Sequence, residues 1–590
     1  MNLRANFREV NTDLPGELLA SGTAISSLNV IVRDGKLRKR NGFVQDNATA
    51  TTVRMAQAGD GTLYTRTAVG WFYEWAGRMY FNCAAGSFHT GTSGATGTYK
   101  AGLPQPASNQ TVSESGSYVG GKEGWYRIAY SYYQSTTQEE SVISGLSYEG
   151  GADEEAEEIR ASGGGGAIAV ASMTPTVASY VFDKVRIYCT LGNTEQIFEI
   201  PTASYELYLD NEITAAATGV CLTPDAAMGS RAHPRYTNSG GEPPASTVGC
   251  FDGSQAVYCL ADKSVEFSIP NFPTMVPRLQ KYTLLSAGNW DLSGSVEPQP
   301  WRGKIQGAFS SAPVCAAYGG NRILICTAAQ TFQMVRTDTG RLLPRVLIPN
   351  HGCQSAQGMA STGSNVHILS NGAWMIVSAE GFRNASRNHW ATTINALTSP
   401  STCVVAHYSH LRQVWLAEAD DIYIIDDRTG QLLGKWTIEG IGAISAMCEQ
   451  SVAGSTPVMR VASSTGHWTY DPDVDNGGLD DGAGFDSHWE AWFGQEDPDY
   501  KFLEMLTLQV NTFDGTSLAV EVGGAARSGE TVTTASTTIA AVGQHLLDTV
   551  FDGKRQGRMF KVKISSTVAN CNKWALDAMT VRMKPVDERR

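Results

Sequence analysis

Hydrophobic and polar positions alternate in short runs along this chain, and the clearest runs lie between Cys403 and Thr437. Each run is too short for a stable helix and is rich in Val, Ile, Tyr and Trp, which is typical of β-strands. The runs are Cys403 to Tyr408, Arg412 to Ala417, Ile422 to Asp426 and Leu432 to Thr437. Turn-forming residues such as Asp427 and Gly430 separate them. Four antiparallel strands in about 35 residues are the size of one β-propeller blade.

Similar runs recur at intervals of roughly 35 to 60 residues, which is the spacing of blades in a propeller. The predicted blade segments are 256–270, 314–337, 366–382, 403–437 and 444–471. Together with strands in residues 1–100, these segments predict a propeller of about six blades, in which neighbouring sheets bury each other's faces. The main blades are assigned to residues 241–486.

Two proline-containing segments interrupt the blade pattern. Pro104 and Pro106 precede a region of alternating strands, and Pro243-Pro244 ends it. The alternating strands between these segments predict that residues 101–240 form an inserted β-sandwich of the immunoglobulin or fibronectin kind. Within this region, the acidic run 152–160 is interpreted as a solvated loop and the glycine run 163–166 as a flexible joint.

Residues 487–590 again contain alternating runs and predict a C-terminal β unit. This unit is either a separate sandwich or a source of strands that close the propeller. The fold prediction is therefore all-β.

Composition narrows the classes of function. The 590 residues carry a formal net charge of −13, which disfavours a surface built to bind nucleic-acid phosphates tightly. A surface that DNA passes without binding remains compatible with this charge. The 11 cysteines are scattered, which fits reduced thiols in a cytosol. Because no stretch approaches the roughly 20 apolar residues of a membrane span and no secretory signal is visible, we expect synthesis in the cytoplasm.

Candidate chemistry is sparse. Asp420, Asp421, Asp426 and Asp427 could supply a glycosidase acid and base, but turns are where aspartate is common and we favour that interpretation. The pair His407 and His410 is interpreted as surface histidines, because no further ligand lies at zinc-site spacing. The segment 471–482 resembles a calcium loop only in composition, since it lacks the glutamate of an EF-hand. We predict no catalytic, cofactor or metal residue, and no enzyme.

A basic hairpin arm is the remaining candidate. Arg38, Lys39 and Arg40 follow a predicted strand and the turn Asp34-Gly35. They are possible contacts for a partner, and the alternative is a solvated face.

Several short motifs, taken in order, resemble the tail nozzle proteins of short-tailed bacteriophages, the family that includes packaged-DNA stabilisation proteins. The motifs are Asn29-Val30 with Arg33 to Phe43, Gly102-Leu103-Pro104 with Pro106, Tyr130 to Tyr133 leading to Glu139-Glu140-Ser141, Val185-Arg186-Ile187-Tyr188, and Ser268 with Pro270. The resemblance extends to about residue 440. Cys189 departs from it, because a basic residue often follows the Ile-Tyr pair.

This resemblance implies a structural virion protein with a β-propeller and a sandwich-like insertion. Such proteins form a homohexameric ring below the portal and the head-to-tail adaptor. The ring makes the tail channel, retains the packaged genome and carries fibres, spikes or a needle. Genomic DNA would pass through the lumen without specific binding, and an acidic channel suits that task because it repels phosphates. The alternatives are a propeller glycosidase or depolymerase and a carbohydrate-binding adhesin of a phage tail.

Overall fold

Strands dominate the part of the chain that the computed structural model describes. The described residues are 2–4, 10–13, 24–33, 36–48, 52–90, 98–104, 106, 110–115, 122–141, 143–144, 147–148, 157–173, 177, 180–192, 207–228, 239–240, 242–276, 280–281, 305, 307–336, 342–474, 479–481, 483–493, 501–512, 518–525, 534–539, 543–550, 556–557, 559–567 and 574–585. The described helical segments are short: Asp225–Met228, Ala391–Asn395 and the 3-10 turn Pro400–Thr402.

The chain forms two compact units. The first unit contains Met1–Val69, Val314–Gln333 and Val346–Arg590, and the second contains Gly70–Pro313 and Met334–Arg345. The domain boundaries that the sequence suggests, at residues 100, 240 and 486, stay predictions.

Antiparallel sheets with strands in sequence order are the recurring element of the chain, as expected for propeller blades. Their strands are Gly70–Trp75, Arg78–Cys83, Gly86–Thr90 and Thr98–Lys100; Val248–Phe251, Ala256–Cys259 and Val265–Phe267; Pro313–Gly319, Arg322–Thr327, Thr331–Arg336 and Leu342–Ile348; Met359–Ser361, Asn365–Ser370, Ala373–Ser378 and Gly381–Asn384; and Val404–Tyr408, Gln413–Glu418, Asp421–Asp426 and Leu432–Thr437. In the last sheet the observed strands begin and end within one residue of the predicted runs. The predicted all-β fold with propeller blades is confirmed, and the blade number stays a prediction.

One further blade combines distant parts of the sequence. Strands Ile444–Gln450, Val458–Ser463 and Gly466–Tyr470 are followed in the sheet by Phe43–Asn47 from the N-terminal region. The register pairs Tyr470 with Phe43. Pairing between strands so far apart in sequence leaves no periodic signal, so the sequence pattern did not predict it.

An eight-stranded sheet occupies the region of the predicted sandwich. Its main path is Thr111–Ser115, Glu157–Ala171, Lys122–Gln134, Glu139–Ser141 and Ser239–Gly240; Lys184–Cys189 pairs with Lys122–Gln134 and with Tyr208–Thr214, and Gly219–Cys221 pairs with Glu157–Ala171. Two short pairs complete the described strands outside the C-terminal region: Arg54–Gln57 with Leu63–Arg66, and Ser147–Tyr148 with Gln280–Lys281.

The interpretation of the glycine run 163–166 as a flexible joint is wrong, because it lies inside the long strand Glu157–Ala171. Residues before the glycines pair with Lys122–Gln134, and residues after them pair with Thr111–Ser115. Glycines suit this exchange of partners because they accept sharp bends and close backbone approach. Residues 157–160 of the acidic run also belong to this strand, while 152–156 lie outside the described residues.

Strands from both ends of the chain form the C-terminal β unit. One sheet continues from Leu432–Thr437 through Ala24–Leu28, Ser487–Phe493, Met559–Ser566 and Leu518–Ala525 to Thr534–Ile539. The other has the order Val30–Arg33, Lys36–Lys39, Trp574–Pro585, Lys501–Thr512 and Gly543–Val550, with Asn2–Arg4 on Trp574–Pro585 and Gln556–Gly557 on Lys501–Thr512. Apolar side chains of both sheets share one core, which includes Val30, Trp489, Val562 and Trp574.

Aromatic side chains fill the space between the blade at 404–437 and the blade that Phe43–Asn47 completes. Trp415 packs edge-on against Trp436 at a centroid distance of 5.1 Å, and Phe43 lies 5.1 Å from Tyr470. Aromatic pairs of this kind contribute about 0.5–1.5 kcal/mol beyond the area they bury. The N-terminal strand is therefore held by packing as well as by its hydrogen bonds.

Candidate functional site

The first strands of several blades line a groove in the first unit. Its volume is about 590 Å³, and it is lined by Met55–Gln57, Met359–Ser361, Val405–His407, Ser409, Met447–Glu449, Ser451 and Pro457. Propeller blades surround a central channel, which is a common place for ligands to bind. We call this the first-strand groove.

Polar side chains tie the strands around this groove together. The Gln357 amide donates hydrogen bonds to the carbonyl oxygens of Ser445 at 2.7 Å and Val53 at 3.2 Å. Arg54 donates to the carbonyl oxygen of Ala356 at 3.0 Å. Burial lowers the pKa of Arg54 to about 10, so its guanidinium remains charged at neutral pH. These contacts fix the backbone of the groove.

The two histidines of the His407-x-x-His410 pair do not converge. His407 lies at the groove with its Nε2 atom 3.5 Å from Asp427 Oδ2. His410 is exposed, and its ring centroid lies 6.1 Å from that of Tyr408. The first histidine therefore lies at the groove and the second on the exposed turn.

Another histidine, His367, is fully buried beside Asp427. His367 Nδ1 accepts a hydrogen bond from Trp374 Nε1 at 3.0 Å, and its Nε2 lies 3.0 Å from the Asp427 carbonyl oxygen. Nε2 therefore carries the proton and donates to this carbonyl. Burial lowers the pKa of His367 to about 4, so the ring is neutral at physiological pH. Its role is to join two blades.

The four aspartates considered as glycosidase residues take separate structural roles. Asp426 Oδ1 accepts hydrogen bonds from the backbone N–H groups of Arg428 and Thr429, which stabilises the turn. Asp421 forms an ion pair with Lys435. The side chain of Asp420 is exposed, and that of Asp427 is buried beside His407. The described geometry assigns each of these residues to a turn or a strand end.

The basic arm contains one fully buried residue. Arg40 donates two hydrogen bonds to the Asp480 carboxylate, at 2.8 and 2.7 Å, and both side chains are fully buried. The same guanidinium donates to Asn29 Oδ1 and to the Thr437 carbonyl oxygen. Asp480 also accepts from the N–H of Phe43. Arg40 therefore serves the interior of the chain; we call this contact set the Arg40–Asp480 clamp.

The neighbouring basic residues lie in different surroundings. Lys39 is buried, with its ammonium 4.2 Å from the centroid of the Phe485 ring. Arg38 is half-buried. The prediction of a partner contact stays untested for Arg38, whereas Lys39 and Arg40 have partners inside the chain.

Two groups of side chains have the composition of a cation site. Asp471 accepts hydrogen bonds from the N–H groups of Asp473 and Val474, while residues 475–478 and 482 of the predicted calcium-like segment lie outside the described residues. Within the described ranges, the donor atoms of Cys189, Asp210 and Cys221 lie within 4.8 Å of one another. A cation already lies among them, because the Lys122 ammonium is 3.0 Å from Asp210 Oδ2.

Comparison with known proteins gives no family assignment. No family model matches the chain, and no curated protein matches it. Among solved structures, it is similar to BBS1N in complex with ARL6DN, from crystals soaked with lead, with a TM-score of 0.29, 10% identity, and coverage of 74% of this chain and 99% of that one. It is also similar to Raptor from Chaetomium thermophilum, with a TM-score of 0.27, 8% identity, and coverage of 73% of this chain and 28% of that one. At such TM-scores these similarities carry no argument about function.

The described helices are all too short or too polar to cross a lipid bilayer.

Proposed function

We propose that this chain is a structural subunit of a short bacteriophage tail. It would form the nozzle or hub ring below the portal and the head-to-tail adaptor. In that role it retains the packaged genome, provides the channel for DNA ejection, and carries fibres, spikes or a needle. The subunit acts by assembly and has no catalytic role.

The observation that carries this proposal is the convergence of the signature residues 29–43 on the Arg40–Asp480 clamp. Asn29 accepts a hydrogen bond from Arg40 and donates one to the Asp486 carbonyl oxygen at 2.7 Å. Gly42 packs so closely that an added Cβ atom would lie 1.6 Å from the Leu479 carbonyl oxygen. Asn29, Arg40 and Gly42 thus share one connected set of contacts, which supports the interpretation of these positions as parts of one motif.

The charge of the chain supports the same role. A net charge of −13 per subunit, multiplied in a ring, gives a field that repels DNA phosphates. DNA can then move through the channel without binding to its wall.

Electron cryomicroscopy of intact phage tails tests the proposal. We expect six copies of the chain around an axial channel, directly below the adaptor. Three copies at the periphery, or none in the particle, would contradict it and favour a spike-like enzyme or an adhesin.

A mutational test separates structure from catalysis. We expect that Asp421→Asn and Asp427→Asn, each made alone, change infectivity by no more than a few-fold. The exposed Asp60→Asn, which lies outside the four candidate aspartates, serves as the control. A saccharide-cleaving activity that disappears in either variant but persists in the control would establish the enzyme alternative.

A further inference from the structure

Two buried thiols of the second unit meet beside a buried lysine. Cys189 ends the strand Lys184–Cys189, and Cys221 ends the strand Gly219–Cys221. Lys122 begins the strand Lys122–Gln134, and Asp210 lies within Tyr208–Thr214. All four side chains are buried. Four separate strands therefore bring two thiols, one carboxylate and one ammonium into one cluster, which we call the Lys122 cluster.

The two cysteines come from different parts of the inserted sheet. Cys189 pairs with Ile128 on one strand, whereas Cys221 pairs with Ile168 on another. Their sulfur atoms nevertheless lie within 4.8 Å of each other. A disulfide requires a sulfur separation of about 2.05 Å, so its formation needs the two side chains to move towards each other.

The lysine makes Cys189 different from an ordinary buried thiol. Lys122 Nζ lies 3.2 Å from Cys189 Sγ and 3.0 Å from Asp210 Oδ2, and it donates to both. Cys189 Sγ lies 3.5 Å from Asp210 Oδ2 and donates to it. The ammonium is therefore placed to stabilise negative charge on the sulfur during reaction, while the carboxylates of Asp210 and Asp225 that also face Lys122 share its charge. The same ammonium disfavours a metal ion here, because it already occupies the position of the cation.

We propose that the Lys122 cluster is a redox modification site, in which a peroxide oxidant links Cys189 and Cys221 in a disulfide. The Cys189 thiolate attacks one peroxide oxygen, giving a sulfenic acid and a hydroxide that leaves as water with the thiol proton. The Cys221 sulfur then attacks the sulfenic sulfur and releases a second water. Two thiols and one hydrogen peroxide become one disulfide and two waters. This inference does not depend on the proposed function.

A second pair of buried cysteines provides an internal comparison. Cys250 and Cys259 lie on the neighbouring strands Val248–Phe251 and Ala256–Cys259. Burial raises the pKa of both thiols, and no ammonium or guanidinium among the described residues is hydrogen-bonded to either. They share the burial of the Lys122 cluster but lack its cation, so we expect them to react more slowly.

The test treats the reduced full-length protein with graded hydrogen peroxide and maps the cysteines by mass spectrometry of a non-reduced digest. We expect a peptide that joins Cys189 to Cys221 with the loss of two hydrogen atoms. It should appear in the Cys250→Ser variant and be absent from Cys221→Ser, where Cys189 should instead be trapped by dimedone as sulfenic acid. The half-buried Cys448 reports that the oxidant is active.

A variant of the lysine tests its role separately. We expect Lys122→Gln to slow formation of the Cys189–Cys221 link about tenfold at neutral pH and to move its pH–rate profile to higher pH. A purely structural role for Lys122 would not move that profile.

Three results would overturn the proposal. In the first, Cys189 and Cys221 stay reduced while Cys448 and the pair Cys250 and Cys259 are oxidised. In the second, the oxidised product joins Lys122 to Cys189 through an added oxygen atom. In the third, the purified protein contains stoichiometric zinc that Cys221→Ser removes.

Discussion

The two units each contain a buried ion pair, and the two pairs are built differently. In the first unit, Arg40 and Asp480 form two parallel hydrogen bonds at 2.8 and 2.7 Å. In the second unit, Lys122 lies 3.0 Å from Asp210 and 3.2 Å from the sulfur of Cys189. The arginine fork is matched to a carboxylate and to carbonyl oxygens, whereas the lysine is a point charge shared with a thiol.

The difference separates a structural contact from a reactive one. Arginine stays charged in any protein environment and presents its donors in a fixed plane, so the Arg40–Asp480 clamp holds one geometry. A lysine ammonium can serve different acceptors as they change their charge, and Cys189 is an acceptor of this kind. A buried ion pair thus fixes the fold in the first unit, whereas in the second unit it lies beside the thiol for which we propose oxidation.

Breaking the clamp should have the largest effect on stability. We expect Arg40→Met to lower the free energy of unfolding by about 3–5 kcal/mol, because it leaves the Asp480 carboxylate buried without its counter-ion. Thermal unfolding measures the loss, and faster hydrogen exchange in peptides that contain residues 43–47 should accompany it. Arg38→Met, two residues away, is the matched control and should cost less than about 1 kcal/mol. If both variants lost the same free energy of unfolding, the buried ion pair with Asp480 would contribute no more to stability than the half-buried Arg38 does.

Local sequence patterns predicted the blades because most strands of a blade follow one another directly in the sequence. The strands of 403–437 depend on alternation and turn residues, which any reader of the sequence can see. Phe43–Asn47 joins a blade near residue 470, and Arg40 finds Asp480 at a separation of 440 residues. Such contacts arise from the assembled fold, so the basic arm looked like a surface. The Lys122 cluster was missed for the same reason, since its four residues come from four strands.

Removing the lysine of the other pair should cost less. We expect Lys122→Met to lower the free energy of unfolding by about 2–3 kcal/mol. The effect is smaller because fewer hydrogen bonds are lost. Lys122 donates to Asp210 and Cys189, whereas Arg40 donates twice to Asp480 and also to Asn29 and the Thr437 carbonyl oxygen. The double variant Lys122→Met with Asp210→Asn should recover part of the loss, because the buried carboxylate that lost its cation is then neutral; Asp225, 3.6 Å from Lys122 Nζ, keeps its charge but is partly exposed to water. Chemical denaturation of the three proteins under reducing conditions provides the values, and a double variant less stable than Lys122→Met would contradict this account.

The two units should also respond to acid in opposite directions. In the first unit, the pKa of His367 is lowered by burial to about 4, so its stabilisation is complete above the unfolded value of 6.5 and is lost as the pH falls towards 4. In the second unit, burial raises the pKa of Glu139 to about 7. Its stabilisation is complete below the unfolded value of 4.5 and is lost as the pH rises through 7. Each effect amounts to at most about 3 kcal/mol.

Hydrogen exchange at pH 4.5, 5.5 and 6.5 can follow each unit by its own peptides, because local opening is resolved separately. We expect protection around 365–378 to increase with pH and protection around 128–141 to decrease. His367→Gln should remove the pH dependence of protection around 365–378 only. Glu139→Gln should remove the pH dependence around 128–141 only. If protection changed with pH in the same direction in both units, His367 and Glu139 would not be the groups responsible.

The smallest effect should come from an ion pair that is short but only half-buried. Lys435 Nζ lies 2.7 Å from Asp421 Oδ2, as close as the atoms of the clamp, yet the two side chains keep 38% and 23% of their accessible surface. Because water and salt screen exposed charges, we expect Lys435→Met to cost less than about 1 kcal/mol, and the cost to shrink further in 1 M salt. Thermal unfolding at low and high salt measures both values. A loss of stability as large as that of Arg40→Met would mean that distance, not burial, decides the strength of these ion pairs. The contrast between the clamp and the Lys122 cluster would then need another explanation.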